Sequence, residues 1–333
     1  MPHNTESIQP RFWLITAPRT ASNMLVKMLN LDGQGVRPAW HGGYFFMNGT
    51  MRRMMMLTKS MSDWTDEETK ELEAVHQECF DKLQDYVEAA EKEGQKIFVK
   101  EHAMMFNQTF FESQYNFGAE SVAGKQPSLL AQRGIETPTR SSHNLTWLPD
   151  EFLQLWKPTF LIRNPAMMLP SLYRTCLNEA EAEGFRRPTN EPMLNETTMK
   201  WNRTLFDFYE NYYSGDSQWP IVLDADDVMT NPAVVLKYAE LAGLDAEKVR
   251  FSWDKASEET LKSLSSRESR MLSSINASSK VDSSKVAGNI DLDKEAAKWR
   301  EEFGEEGGRK LERWVREAMP HYEYMHARRL RLE

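Results

Sequence analysis

Four short runs of apolar and β-branched residues, 12–17, 96–100, 159–162 and 220–224, are separated by long stretches of helical periodicity. Runs this short and this apolar fit strands buried on both faces, and the helical spacers fit right-handed crossovers between parallel neighbours. The expected fold is therefore α/β: a central, mostly parallel sheet flanked by helices in three layers, α/β/α. In such sheets ligands sit beyond the carboxyl ends of the strands. The residues just after each run are the ones to read for function.

The helical spacers have recognisable punctuation. Residues 20–31 carry Met24, Leu25, Met28 and Leu29 at helical spacing. Thr65 and Glu68 form a candidate capping box at the head of a charged helix over 65–93. Asn164 precedes Pro165, a cap followed by a first-turn proline. Further helices are expected over 199–213, over 232–242 with a stop at Gly243, and over 291–303 and 308–318. Residues 108–146 and 263–284 read as irregular, rich in Ser with Gly, Pro and Gln in the first. The chain shows no internal repeat. It reads as one domain over 1–333, with a lid-like insertion at 108–146 and a helical carboxyl-terminal part at about 291–330.

The net charge of −9 excludes a general nucleic-acid binder, which needs a basic footprint. An anion bound here must be held by a local cluster of basic groups and amides. Cys79 and Cys176 are the two cysteines and read as reduced thiols. No stretch reaches the ~18 apolar residues of a membrane span, and the first residues lack an apolar leader. The expected location is the cytoplasm, with no membrane partner.

Three strand ends carry groups suited to phosphate or proton transfer. The first run ends in Pro18-Arg19-Thr20-Ala21-Ser22-Asn23 and then restarts as a helix. Amides at that helix start, the Arg19 charge and the hydroxyls of Thr20 and Ser22 together suit a phosphate. The second run ends in Lys100-Glu101-His102. Side chains two apart share a face of a strand, so Lys100 can stabilise charge where His102 moves a proton. The third run ends in Arg163, with Ser171 eight residues on, and an arginine there can fork onto a phosphate.

Taken in this order, the three motifs resemble the sulfotransferase superfamily, whose members use 3′-phosphoadenosine 5′-phosphosulfate (PAPS). The resemblance runs from about residue 11 to 243 and is nearest to the small-molecule, cytosolic-type members. It implies a P-loop-like sheet and a cofactor-binding loop of Pro18, Arg19, Thr20, Ala21, Ser22 and Asn23 for the 5′-phosphosulfate. It implies that Arg163 and Ser171 hold the 3′-phosphate, that His102 is the catalytic base, and that Lys100 and Arg19 neutralise growing charge. No metal is required. The segment from Val222 to Pro232, with its Asn-Pro ending, is similar to a later element of the family.

This sequence also departs from the family. Thr20-Ala21 stands where Ser-Gly is common, Arg19 where lysine is common, and Ala225 where a tyrosine is usual. The stretch between His102 and Arg163 is longer than in small members. Residues 284–289 are the best counterpart of the family's glycine-rich carboxyl-terminal loop.

The Met- and aromatic-rich stretch 40–57 suits an adaptable apolar acceptor pocket, with His41, Tyr44 and Phe45 as candidate lining residues for a small-molecule acceptor. Two other readings remain open at this point. A P-loop kinase or nucleotide hydrolase lacks its Gly-Lys-Ser/Thr and a clear Mg²⁺ set here. A non-catalytic binding or scaffold protein on the same fold is separated only by turnover. Nothing in the sequence fixes the oligomeric state.

Overall fold

The computed structural model describes residues 9–177, 187–215, 218–264, 269, 272–282 and 285–332. Its strands are β1 (Arg11–Thr16), β2 (Ile97–His102), β3 (Trp156–Ile162) and β4 (Ile221–Asp224). All pair in parallel, in the order β2-β1-β3-β4. Each expected run is a strand. Two extend past their apolar runs: β2 continues through the buried Glu101 to His102, and β3 begins at Trp156, ahead of Lys157 and Pro158.

In chain order the helices are α1 (Ser22–Leu29), α2 (Met47–Met56), α3 (Asp66–Lys92), α4 (Thr109–Phe117), α5 (Asp150–Leu153), α6 (Pro165–Leu177), α7 (Lys200–Tyr212), α8 (Ala225–Thr230), α9 (Pro232–Leu241), α10 (Glu258–Ser263), α11 (Ser273–Ala277) and α12 (Leu292–His326). Period-2 alternation divides β1 between two cores. Trp13 and Ile15 join the larger core with residues of α3, α6, α7 and α12. Leu14 joins the smaller one with Leu161, Leu223 and residues of α1 and α9. The sheet is thus covered on both faces, as the continuous apolar runs require.

The expected caps are present. The Thr65 hydroxyl accepts from the Glu68 amide at 3.1 Å, and the Glu68 carboxylate accepts from the Thr65 amide at 2.9 Å. The Asn164 side chain accepts from the Ala166 amide at 2.9 Å. The two expected carboxyl-terminal helices form the arms of α12, broken at Gly304 with φ 75° and ψ 169°. The second arm runs on to His326, past the expected end.

Residues 108–146 differ from the irregular stretch expected. They contain α4, and they are seated on α3 by a ladder of polar contacts. The Gln77 side chain bonds both the amide and the carbonyl of Ala131, at 2.7 and 3.0 Å. Arg133 donates its amide to Gln84 at 2.9 Å and pairs with Asp85 and Glu88. Val122, Leu130, Asn144 and Thr146 are buried. Beneath this span lies a fully buried ion pair, Arg53 of α2 with Glu112 of α4, at 2.9 Å. Arg53 also donates to the carbonyls of Met104, Met105 and Asn107, which satisfies a guanidinium with no access to water. Burial pushes the Glu112 carboxyl up, and Arg53 opposes that push. Among the described residues no helix is long and apolar enough to cross a membrane.

Removing one partner of a buried pair leaves the other charge uncompensated, at a cost of roughly 3–5 kcal/mol. Glu112→Ala should therefore lower the urea midpoint by an amount equivalent to about 3 kcal/mol or more. Glu71→Ala, which breaks the exposed pair with Arg52, should leave the midpoint nearly unchanged.

Candidate active site

The turn after β1 is closed by backbone geometry that its residues do not favour. Arg19 and Ala21 both take left-handed conformations, with φ of 68° and 63°. Residues with a Cβ hold that region at a cost of about 1–3 kcal/mol each, and such strain gathers at functional sites. The Thr20 hydroxyl donates to the Ala17 carbonyl at 2.9 Å and so closes the turn from within. Ala21 is the N-cap of α1, and the first amides of a helix have no acceptor within it. Pro18, Arg19, Thr20, Ala21, Ser22 and Asn23 thus form one tight bend from strand to helix.

Arg19 Nε donates to Ser171 Oγ of α6 at 2.9 Å, across 152 residues of sequence. That bond uses a lone pair of the hydroxyl and leaves its proton free to donate. Arg163, just past β3, donates through Nη1 to the Arg19 carbonyl at 3.1 Å. Its Nη2 donates to the Lys285 carbonyl at 2.8 Å. Its Nε is buried without a partner. Burial pushes the Arg163 pKa down, the nearby carboxylate of Asp226 pushes it up, and the Arg19 charge adds to the fall. The Asp226 carboxylate also accepts from the amides of Ala287 and Gly288, at 2.8 and 3.1 Å. The expected loop at 284–289 therefore lies against Arg163 from Lys285 onward, while Ser284 is outside the described residues. Asp224, the head of the Asp-rich run, caps α8 by accepting from the Asp226 amide at 2.9 Å.

Lys100 and His102 share a face of β2, as their spacing requires. The Lys100 ammonium donates to Asn23 Oδ1 and lies 4.3 Å from the centre of the Tyr44 ring. This ties the end of β2 to the start of α1. His102 Nδ1 is 2.6 Å from Thr16 Oγ1, its register partner across the β1–β2 ladder. Thr16 Oγ1 in turn donates to the Glu101 carbonyl at 3.2 Å. A hydroxyl has one proton, so the imidazole must donate through Nδ1, which leaves Nε2 as the acceptor. Nε2 faces the Tyr44 hydroxyl at 3.3 Å. Desolvation, then the Lys100 and Arg19 charges, pull the His102 pKa down to about 3. The imidazole is neutral near pH 7.

The bend carrying Tyr44 is held from both sides. Gly43 has φ 113°, and a Cβ there would lie 2.5 Å from the Lys100 carbonyl oxygen. The amides of Phe46 and Phe45 face the buried Glu101 carboxyl, with Phe46 N to Oε2 at 3.4 Å. Burial pushes the Glu101 pKa well up.

Three strand ends thus bring together Arg19, Ser22, Asn23, Lys100, His102, Arg163 and Ser171, joined by Tyr44. Phe45 is not brought there. Its ring is buried in the core, 5.2 Å from that of Tyr86, because the bend turns it to the opposite side from Tyr44. The side chain of His41 lies outside what the structure describes. Sequence reading missed Thr16, Glu101 and the Asn23–Lys100 bond. The available signal was a threonine ending an apolar strand in register with a strand-end histidine. Among the described residues no group of three or more His, Cys, Asp or Glu is placed to hold a metal.

No family model matches the chain. Two curated relatives do, along nearly its whole length. It is 40% identical over 336 residues to Sulfotransferase ppzF of Metarhizium majus (strain ARSEF 297), covering 97% of each chain. It is 39% identical over 334 residues to Sulfotransferase ppzF of Metarhizium rileyi (strain RCEF 4871), again covering 97% of each. The chain belongs to the sulfotransferase family. Among solved structures, the sulfotransferase domain from the curacin biosynthetic pathway aligns with 89% of this sulfotransferase and 98% of its own chain, at 11% identity and a TM-score of 0.35.

In this sulfotransferase the Thr16 hydroxyl should set the tautomer of His102. Thr16→Val removes the acceptor of the Nδ1 proton while keeping the strand packing. Nitrogen NMR of the ring should show wild-type His102 protonated at Nδ1, and the variant shifted toward the Nε2–H tautomer.

Proposed function

We propose that the enzyme moves a sulfuryl group from PAPS to the hydroxyl of a small apolar or phenolic acceptor, with an amine as second choice. Bound PAPS supplies the sulfuryl group and a phosphate leaving group. The residues present fit such a ligand. The buried, unpartnered Nε of Arg163 and the free hydroxyl proton of Ser171 suit the 3′-phosphate. The bend from Pro18 to Asn23 and the start of α1 suit the 5′-phosphosulfate, with Ser22 donating there. Lys100 and Arg19 offset negative charge on the phosphosulfate bridge. His102 takes the acceptor proton at Nε2, and Tyr44 lines the acceptor side.

The observation that carries this reading is the convergence of Arg19, Ser171 and Arg163 in one hydrogen-bonded group whose Arg19 charge also acts on His102. It supports reading these strand ends as an anion site beside a neutral base. Desolvation is the first cause of the lowered His102 pKa; an anion bound there would offset the second, the charges of Lys100 and Arg19, and so make the imidazole a stronger base.

Two variants test the assignment. A charge-assisted phosphate contact contributes roughly 1.5–3 kcal/mol, or about 10- to 150-fold in affinity. In calorimetry, Arg163→Ala should weaken 3′-phosphoadenosine 5′-phosphate by this factor and leave adenosine 5′-phosphosulfate nearly unchanged. Equal losses for both ligands would remove Arg163 from the 3′-phosphate. His102→Ala should cut turnover by about 10²-fold or more, as for a lost general base, with nucleotide affinity nearly constant.

A further inference from the structure

Tyr44 stands among the groups assigned to proton transfer and charge neutralisation. Its hydroxyl is 3.3 Å from His102 Nε2, the nitrogen that the Thr16 bond leaves as acceptor. Its ring lies beneath the Lys100 ammonium at 4.3 Å. One phenol therefore has its oxygen beside the base and its ring against the Lys100 ammonium.

The backbone that carries Tyr44 has little freedom to carry it away. Gly43 rests on the Lys100 backbone so closely that a Cβ would not fit. The next amides, of Phe45 and Phe46, face the buried Glu101 carboxyl. The rings of Phe45 and Phe46 are 1% and 0% exposed in the core. Tyr44 is clamped before and after, and Lys100 and Glu101 of β2 supply the clamp.

We propose that Tyr44 relays the acceptor's proton to His102. The acceptor hydroxyl donates to Tyr44 Oη, which donates to His102 Nε2. As the acceptor oxygen forms its bond to sulfur, its proton passes to Tyr44 Oη and the original phenol proton passes to Nε2. The bond between sulfur and the bridging phosphate oxygen breaks, and its electron pair leaves with 3′-phosphoadenosine 5′-phosphate. Tyr44 ends as it began, His102 ends as imidazolium, and the sulfuryl group is on the acceptor. The relay rests on the reading of His102 as the base and adds the group through which the base acts.

The test compares Tyr44→Phe, which keeps the ring beneath Lys100 and removes only the hydroxyl, with His102→Ala. Release of 3′-phosphoadenosine 5′-phosphate from PAPS is followed with 4-methylphenol, 4-nitrophenol and water as acceptors. Tyr44→Phe should lower kcat on 4-methylphenol by about 10²-fold with KM little changed. The loss should shrink on the more acidic 4-nitrophenol, and adding His102→Ala should cost little more. In the ligand-free protein, nitrogen NMR should show the His102 Nε2 signal moving on Tyr44→Phe, as its hydrogen-bond donor is lost. A variant with full kcat and a lower KM would make Tyr44 an occupant that acceptors displace, and would overturn the relay. A gain of sulfate mass on Tyr44 after incubation with PAPS alone would make it an acceptor, and would overturn the relay too. If His102→Ala also keeps full kcat, the reading of the base fails; if only Tyr44→Phe does, the relay alone fails.

Discussion

Thr16 and His102 face each other as register partners across the β1–β2 ladder, and the chemistry of the site depends on that pairing. A parallel ladder slipped by one residue would turn every side chain of β2 to the other face. Lys100 and His102 would then enter the core, and Glu101 would face the ligand side. The apolar residues of β2 oppose the slip, because Ile97 and Val99 belong to one core and Phe98 to the other. Packing deep in the molecule thus fixes which nitrogen of one imidazole carries a proton.

The same strand does two jobs on its two faces. Lys100 and His102 reach the ligand side, where Lys100 also ties Asn23 at the start of α1. Glu101 turns inward and receives the bend that presents Tyr44. A carboxyl whose pKa is pushed well up by burial is an expensive anchor, since the charged form is disfavoured there. Its value lies in direction: amides bonded to it orient the bend, and the bend orients the phenol. On the far side, Arg19 joins the ends of β1 and β3 through Ser171 and Arg163. Under the proposed function, the donor side and the acceptor side meet at Lys100 and Arg19, whose charges both act on His102.

Much of the architecture was legible in local signals. Apolar runs marked the strands, and Thr65, Glu68 and Asn164 marked helix starts through bonds that reach only a few residues. The three strand-end motifs could be read because each is short and the topology alone brings them together. What could not be read was set at long range. Helix α2 holds Asn48 and Gly49 near its start, so its pattern resembles a loop, and its Arg53 is satisfied by Glu112 and by carbonyls around residue 105. Helix α4 sits in a stretch whose Gly, Ser and Pro content suggests disorder, and its Glu112 is the other half of that same ion pair. Phe45 and Tyr44 are neighbours in sequence with opposite surroundings, a difference made by the contact of Gly43 with a strand 57 residues away.

The seating of residues 108–146 on α3 bears on how this chain can change over time. Gln77, Gln84, Asp85 and Glu88 occupy one outward side of α3 and bond Ala131 and Arg133. On a bare helix those positions would drift freely, as solvated surfaces do. Here each is one half of a matched pair whose other half lies in a region with no strand of its own. A shortened span would strip partners from α3 and uncover Leu130 and Trp147. The two segments should therefore be inherited as a unit, gained or lost together, with substitutions on one compensated on the other.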